Sequence, residues 1–333
     1  MSELMKVKVS SSPHIRAEDT TRSIMLDVII ALLPALAVGI FVFGGRAAVH
    51  AIVCVLTSII AEYAYQKLMH RPITAFDGSA AVTGLLLALS LPVSAPIWIG
   101  IVGSLFAIII VKQLYGGIGK NFMNPALAAR AFLFSWSGIM TTYTAIRTKL
   151  PLFTSTYDVV TSATPMAQLK LGALPDASSM DMVLGMIPGC IGETSALALV
   201  AGAIYLLYRR VITWHIPASY LGTVALITFL FPRVPGENLQ CMLAEICAGG
   251  ILLGACFMAN DYTTSPINKR GQIVYGIGCG AITILIRYFG SYPEGVTYAI
   301  LIMNATVYLI EKATASRVFG HKVKPFEMGG ENK

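Results

Sequence analysis

The sequence predicts an all-α polytopic membrane protein of about ten transmembrane helices, one or more of them broken, with one long loop facing outward. Three observations carry this. Of the 333 residues 56% are hydrophobic and only 12% are charged, too few charges to solvate the roughly two soluble domains of that length. The mean hydropathy is +0.71. Apolar runs also recur at the length that crosses a hydrocarbon core, ~20 helical residues.

The runs are 23–43, 46–66, 78–91, 95–112, 124–140, 182–208, 211–231, 239–258, 271–289 and 295–314. The third is short and ends at Leu91-Pro92. A broken or half-spanning helix is tolerated only where other helices or a cavity cover its free backbone groups. The chain then divides into a cytoplasmic N-terminal tail (1–22), a first helical half of five spans (23–140), an extracytoplasmic loop (141–181), a second half of five spans (182–314) and a cytoplasmic C-terminal tail (315–333). The first 22 residues are polar and the first apolar run continues into a full span, so no cleavable signal peptide is expected. Ser79-Ala80-Ala81-Val82-Thr83-Gly84-Leu85 echoes Ser219-Tyr220-Leu221-Gly222-Thr223-Val224-Ala225. Duplication is one reading, and shared apolar composition is the other.

Charge bias orients the bundle. With the N-terminus inside, the inner segments hold seventeen Lys and Arg, and the outer ones only Arg46, Arg147, Lys149, Lys170, Arg233 and Arg287. Both termini are thus expected in the cytoplasm of a prokaryotic cell, in a multi-pass inner-membrane protein with the 141–181 loop outside. The net charge of +7 reflects this topology and contact with anionic membrane lipids, with no case for nucleic acid.

None of the six cysteines forms a CxxC pair, so no metal site is expected within the chain; they read as small hydrophobes. Arg130 lies two turns into an apolar run, where an unpaired charge costs at least ~2.5 kcal/mol. It needs a partner, water or an anionic ligand. Glu62, Glu193 and Glu245 are the other ionisable groups inside apolar segments, with Asp27 near a helix start. They mark either an ion path or helix-to-helix pairing. The glycine run Gly276-Ile277-Gly278-Cys279-Gly280 lies inside a span and reads as helix packing rather than as a dinucleotide-binding loop.

Two polar stretches carry chemistry. In the first, Tyr115 to Phe132, glycines precede Asn121 and the pair Asn124-Pro125, a good N-cap and first-turn combination. Tyr115 and Phe122 could stack on a ring or anchor at the interface. The second is Asp158-Val159-Val160-Thr161-Ser162-Ala163-Thr164-Pro165, in the longest gap between apolar runs. By its residues alone, Thr164 is the N-cap of a short helix opened by Pro165. A helix start also suits a phosphate on or near the capping hydroxyl.

Asp158, Thr161, Ser162, Ala163 and Thr164 resemble, in order, the site where bacterial flavin transferases join FMN through its phosphate to the final threonine; Ser162 stands where glycine is more frequent. Ser12-Pro13-His14-Ile15-Arg16, Met25-Leu26-Asp27-Val28 and the Asn121 to Phe132 stretch resemble the same family over residues 10–320. That family is RnfD/NqrB: RnfD is a membrane component of the Rnf electron-transport complex, and NqrB is its counterpart in the sodium-pumping NADH:quinone reductase. The short N-terminal tail and Ser-Pro-His-Ile-Arg favour the former.

The resemblance implies a membrane subunit of an ion-translocating ferredoxin:NAD oxidoreductase, with Thr164 carrying covalent FMN on the outward loop. It also implies a non-covalent flavin, riboflavin, at Asn121 and Asn124. Ferredoxin and NAD would meet other subunits, and a flavin transferase would be needed for maturation. Thr164 would be a tether and not a catalytic residue; no catalytic residue is expected in this chain. An NqrB-like component of an NADH:quinone reductase, and a non-redox solute transporter or channel lined by Arg130 and the buried glutamates, are the competing expectations.

Overall fold

The computed structural model describes residues 20–146, 152, 162–290 and 294–315. Asp158, Thr161, the Ser12 to Arg16 motif and the 316–333 tail lie outside them. The described residues are helical, with no strand beyond an isolated bridge between Pro92 and Cys190.

The first helix, α1 (Thr21–Phe43), starts at a reciprocal cap: Thr20 Oγ1 accepts from the Ser23 N–H at 3.2 Å while Ser23 Oγ accepts from the Thr20 N–H at 3.0 Å. Gly44, at φ 83°, turns the chain directly into α2 (Gly45–Leu68). The next helices are α3 (Ser79–Leu89), α4 (Ile97–Gln113) and α5 (Pro125–Leu133, continued by tighter turns to Met140). Two short helices follow, α6 (Pro165–Lys170) and α7 (Ser179–Leu184). The second half contains α8 (Ala196–Tyr208), α9 (His215–Leu230), α10 (Asn238–Cys247), α11 (Ile251–Met258), α12 (Lys269–Phe289) and α13 (Val296–Thr314).

Each predicted run carries helix. By length and apolarity α1, α2, α12 and α13 can each cross a membrane, and α10 with α11, bent by 58°, form either a broken span or a re-entrant loop. Shorter apolar helices (α3, α4, α8 and α9) fill in between them. The predicted 182–208 run differs from the structure. Gly185, at φ 98°, ends α7, and helix resumes only at Ala196. The left-handed glycine and Pro188 interrupt what apolarity alone reads as continuous.

Glycines set the closest crossings. A Cβ on Gly280 would lie 3.0 Å from Tyr220 O and 2.8 Å from Thr223 Cβ, and one on Gly276 would lie 2.9 Å from Ile216 O. Gly276 and Gly280 of the α12 glycine run therefore form the seam against α9, while Gly278 faces Met303 of α13, as expected of small residues in membrane helices.

The halves repeat one pattern of packing. The second helix of the first half, α2, packs on α3 and α4, and α4 on α5; likewise α9 packs on α10 and α12, and α12 on α13. Contacts between α1 and α8 and between α5 and α13 join them. The echo between Ser79 and Ser219 does not follow this pattern. Ser79 opens α3, whereas Ser219 lies in α9, which takes the place of α2. Shared composition, not equivalent position, accounts for it.

Both interrupted spans are covered, as the hydrocarbon environment requires. After α3, the carbonyls of Leu89 and Leu91 accept from the Gly192 and Ile191 N–H groups at 2.7 and 3.0 Å, and Arg46 donates to Val93 O and Ala95 O at 2.9 and 3.0 Å. At the break after α10, Arg287 donates to Ala248 O and Gly249 O at 3.3 and 3.0 Å. Arg46, Arg287 and Lys112 are thus buried structural or site groups rather than loop charges. Setting Lys112 aside from the inner seventeen and the two arginines from the outer six leaves sixteen against four, the same bias.

Candidate functional site

Two polar sites lie along α5, one at its N-terminus and one about 9 Å further along its axis at Arg130, six residues on. The second lies beneath Thr164. That threonine is the N-cap of α6: its backbone is extended (φ −71°, ψ 155°), its Oγ1 accepts from the Ala167 N–H at 3.2 Å, and Pro165 takes the first helical position. The preceding Ala163 is exposed, while Thr164 itself is 8% exposed. Thr164 shares a cavity of ≈ 10 Å³ with Ile187, Pro188, Gly249, Glu193 and Glu294. That is room for about one water, so the ring of an attached flavin has no space on the buried side. The hydroxyl, the exposed residue before it and the helix start leave room for a phosphoester on the exposed side.

Under this cavity Arg130 is paired through both Nη atoms. Its Nη1 lies 2.8 Å from Glu193 Oε1, and its Nη2 lies 2.5 Å from Glu294 Oε2 and 3.4 Å from Cys190 Sγ. Tyr143 donates to Glu294 Oε1 at 2.9 Å, and its carbonyl accepts from the Ser162 N–H at 3.1 Å. The backbone two residues before Thr164 is thereby tied to the arginine cluster. Ligand atoms of Cys190, Glu193 and Glu294 converge within 4.8 Å of one another, but the guanidinium already stands among them as their cation.

The predicted ionisable groups separate into distinct pairs rather than one path. Glu62 pairs with Lys112 at 2.8 Å. Glu245 pairs with Arg287 at 2.6 Å and Arg233 at 3.2 Å beside the α10 break. Asp27 pairs with Arg209 at 3.1 Å.

At the other end of α5 a cavity of ≈ 330 Å³, at the lower end of small-molecule sites, opens among α1, α3, α4, α5 and α11. Asn121 and Asn124 both line it. Asn124 caps α5, with Oδ1 accepting from the Ala126 and Leu127 N–H groups at 3.0 and 3.3 Å, and its Nδ2 donates to Met258 O at 3.2 Å. Asn121 donates to Thr263 Oγ1 at 3.0 Å.

Two stretches of widened, π-type helix border this cavity, Phe106–Gln113 ending α4 and Gly254–Met258 ending α11. Such bulges leave carbonyls to be satisfied otherwise and recur at functional sites. Asn260 answers the second, donating to Ala255 O and Cys256 O at 2.9 and 3.1 Å. Apolar groups of Ile24, Val28, Leu86 and Phe257 form the walls; Ser79, Lys112 and Asp261 add polar groups. In the loop after α11, burial pushes the Asp261 carboxyl up, opposed by hydrogen bonds from the Thr263 N–H and hydroxyl. This apolar slot with convergent amides on one side fits a planar heteroaromatic ring. Tyr115 and Phe122, by contrast, do not line it. They meet each other edge to face at 5.0 Å, and both are exposed.

Sequence reasoning missed Glu294, Tyr143 and Cys190 around Arg130, and Lys112 and Asp261 at the cavity. Lys112 carried a signal: it follows six consecutive apolar residues from Phe106, too deep for a loop charge. Glu294 carried none, since it stands in a polar break between two apolar runs.

The description NQR2, RnfD, RnfE family belongs to a family model that matches residues 8–320. The D subunit of the Na(+)-translocating ferredoxin:NAD(+) oxidoreductase complex of Acetobacterium woodii is 52% identical over 326 residues, covering 96% of this chain and 97% of the relative. The proton-translocating counterpart of Clostridium ljungdahlii is 43% identical over 330 residues, with 94% and 96% covered. The D subunit of an ion-translocating oxidoreductase complex of Halorhodospira halophila is 36% identical over 350 residues, with 96% of each covered. With the helical architecture and near-complete coverage, the chain belongs to the NQR2, RnfD, RnfE family.

Proposed function

We propose that this chain is the RnfD component of an ion-translocating ferredoxin:NAD oxidoreductase complex, carrying covalent FMN on Thr164 and a non-covalent flavin, riboflavin, in the Asn121/Asn124 cavity. The observation that carries the reading is a pair of sites reached by α5, one a threonine that caps α6 above Arg130 beside an exposed residue and the other a cavity lined by Asn121 and Asn124. Flavin exchanges one or two electrons, so it can connect a hydride carrier to one-electron partners. The residues of this chain attach it, orient it and keep water from it. The charge bias supports an outward Thr164 and cytoplasmic termini. Ferredoxin and NAD then react at partner subunits, and a flavin transferase matures Thr164.

The energetics suit coupling. Moving one charge outward against ~150 mV costs about 3.5 kcal/mol, and a one-electron drop of ~150 mV releases about as much.

Intact-protein mass and in-gel fluorescence after denaturation test the tether. Protein from cells with a flavin transferase is expected to carry one FMN-sized addition on the peptide containing Thr164, absent in Thr164→Val. Fluorescence persisting in that variant overturns the assignment. Solute flux through the isolated chain, with no covalent chromophore, would support the transporter reading instead.

A further inference from the structure

The cavity wall holds an ion pair with no structural duty at a helix break. Glu62 of α2 is 1% exposed and Lys112 of α4 is 3% exposed. Lys112 Nζ lies 2.8 Å from Glu62 Oε2 and 2.6 Å from Ser79 Oγ. An ammonium has three donors, so one is left for the cavity that Lys112 lines.

Its neighbour Gln113 also reaches Glu62, donating to Oε1 at 2.8 Å, and Gln66 donates to the same oxygen at 3.3 Å. Consecutive residues converge on one carboxylate because the widened turn at Phe106–Gln113 rotates both toward α2. Glu62 is thereby fixed by two amides whether or not the ammonium is present. Ser79 Oγ donates in turn to Asp77 Oδ1 at 2.6 Å, and Asp77 is half-buried just before α3 begins. The other charged groups facing this cluster are Arg71, which donates to Gln113 O at 3.0 Å, and Asp261 across the cavity.

We propose that Lys112 is a counter-ion shared between Glu62 and the cavity, and that an electron arriving on the cavity's occupant draws Lys112 toward it, so that Glu62 takes up one monovalent cation in its place. This rests on the reading of the cavity as the site of an electron carrier. The charge balance is one for one. Glu62 and Lys112 are neutral together; one electron from the complex's low-potential donor adds one negative charge to a low-dielectric site, and one cation entering from water restores neutrality.

The vacated position is already shaped for the cation. Glu62 Oε2 and Ser79 Oγ, which hold the ammonium, remain as oxygen ligands, with the Asp77 carboxylate beside Ser79. The cation is Na⁺, bound by these oxygens, or a proton, bound by the Glu62 carboxylate. The amides on Oε1 keep the carboxylate in place during the exchange.

The test uses the full-length Thr164→Val chain purified in detergent and loaded with riboflavin, so that only non-covalent flavin is seen. Its midpoint potential is measured against Na⁺ concentration at fixed pH, and against pH at fixed Na⁺. One cation per electron raises the potential by about 59 mV for each tenfold rise in the cation taken up. Glu62→Gln, which retains the shape and the amide contacts, is expected to abolish that dependence. The flavin's own proton uptake is common to both chains and drops out of the difference.

Dependence on Na⁺ assigns the sodium arm, and an extra pH dependence lost in Glu62→Gln assigns the proton arm. Lys112→Met is expected to lower the potential. Equal slopes in both chains overturn the proposal. A chain that retains no riboflavin overturns the carrier reading itself, and the absent chromophore tells that failure apart. Redox-difference infrared spectra of the unsubstituted Glu62 chain supply a readout free of variant folding: a new protonated-carboxyl band or a shifted carboxylate band is expected on reduction, and an unchanged carboxyl region refutes the exchange.

Discussion

Replacing Arg130 with methionine removes the cation that the buried Glu193 and the part-buried Glu294 share. Glu193 and Glu294 would remain with ligand atoms within 4.8 Å of one another, and of Cys190, in a cluster where Glu193 is buried. Removing one partner of a buried pair costs about 3–5 kcal/mol, because the other charge is left uncompensated. At 2–4 °C per kcal/mol this is a fall in melting temperature of roughly 10 °C. The cost originates in the stranded carboxylates rather than in lost attraction, so it should be recoverable. The triple variant Arg130→Met, Glu193→Gln, Glu294→Gln presents neutral groups of nearly the same size, and replacement of whole buried ion clusters is often neutral. It is expected to regain most of the lost stability. Thermal unfolding of the full-length chain in one detergent, read by intrinsic fluorescence across the single, double and triple variants, gives the coupling directly. A triple variant no more stable than Arg130→Met alone would refute the stranded-charge account and point instead to lost packing of the guanidinium.

Thr164 has two separable jobs, capping α6 and offering an esterifiable hydroxyl. Thr164→Asn should keep the cap and lose in-gel flavin fluorescence, whereas Thr164→Ala should lose both and about 1 kcal/mol, seen as a lower melting temperature. Asn124→Asp keeps the acceptor that caps α5 but loses the donor that holds Met258 O. It should reduce the riboflavin extracted from purified protein more than it lowers the melting temperature, while covalent fluorescence persists. Gly280→Val drives a side chain against Tyr220 O and Thr223 on α9 and should cost about 1–3 kcal/mol by overpacking, checked by thermal unfolding.

The helical runs, the interruption at Leu91 and the Thr164 cap were legible because each follows from a local rule: an apolar run, a proline, or a hydroxyl before a proline. The partners of the buried charges were not. Arg130 meets Glu294 across 164 residues, and Lys112 meets Glu62 across 50, so their pairing is decided by tertiary packing that periodicity cannot report. The non-helical 185–195 stretch escaped for a related reason. Its residues are apolar enough to span, and only Gly185, Pro188 and the carbonyls it must cover at Leu89 and Leu91 make it irregular.

That stretch also explains why the Arg130 site lies where it does. Ile191 and Gly192 cover the free carbonyls after α3, and one residue later Glu193 presents its carboxylate to Arg130 and to Gly250 at the break before α11. An added Cβ on Gly250 would approach Glu193 Oε1 to 2.5 Å, so the positive-φ glycine is what admits the carboxylate to the start of α11. An anion is favoured at a helix start and a cation at a helix end. Arg287 takes the complementary place on the carbonyls that end α10. The two interrupted spans are therefore not isolated defects. One segment, 191–193, satisfies the first and supplies the anion for the second, and the same anion fixes Arg130 beneath Thr164. Disturbing either break should propagate to the Arg130 site, whereas the Lys112–Glu62 pair is held among α2, α3 and α4 through contacts that do not involve this segment.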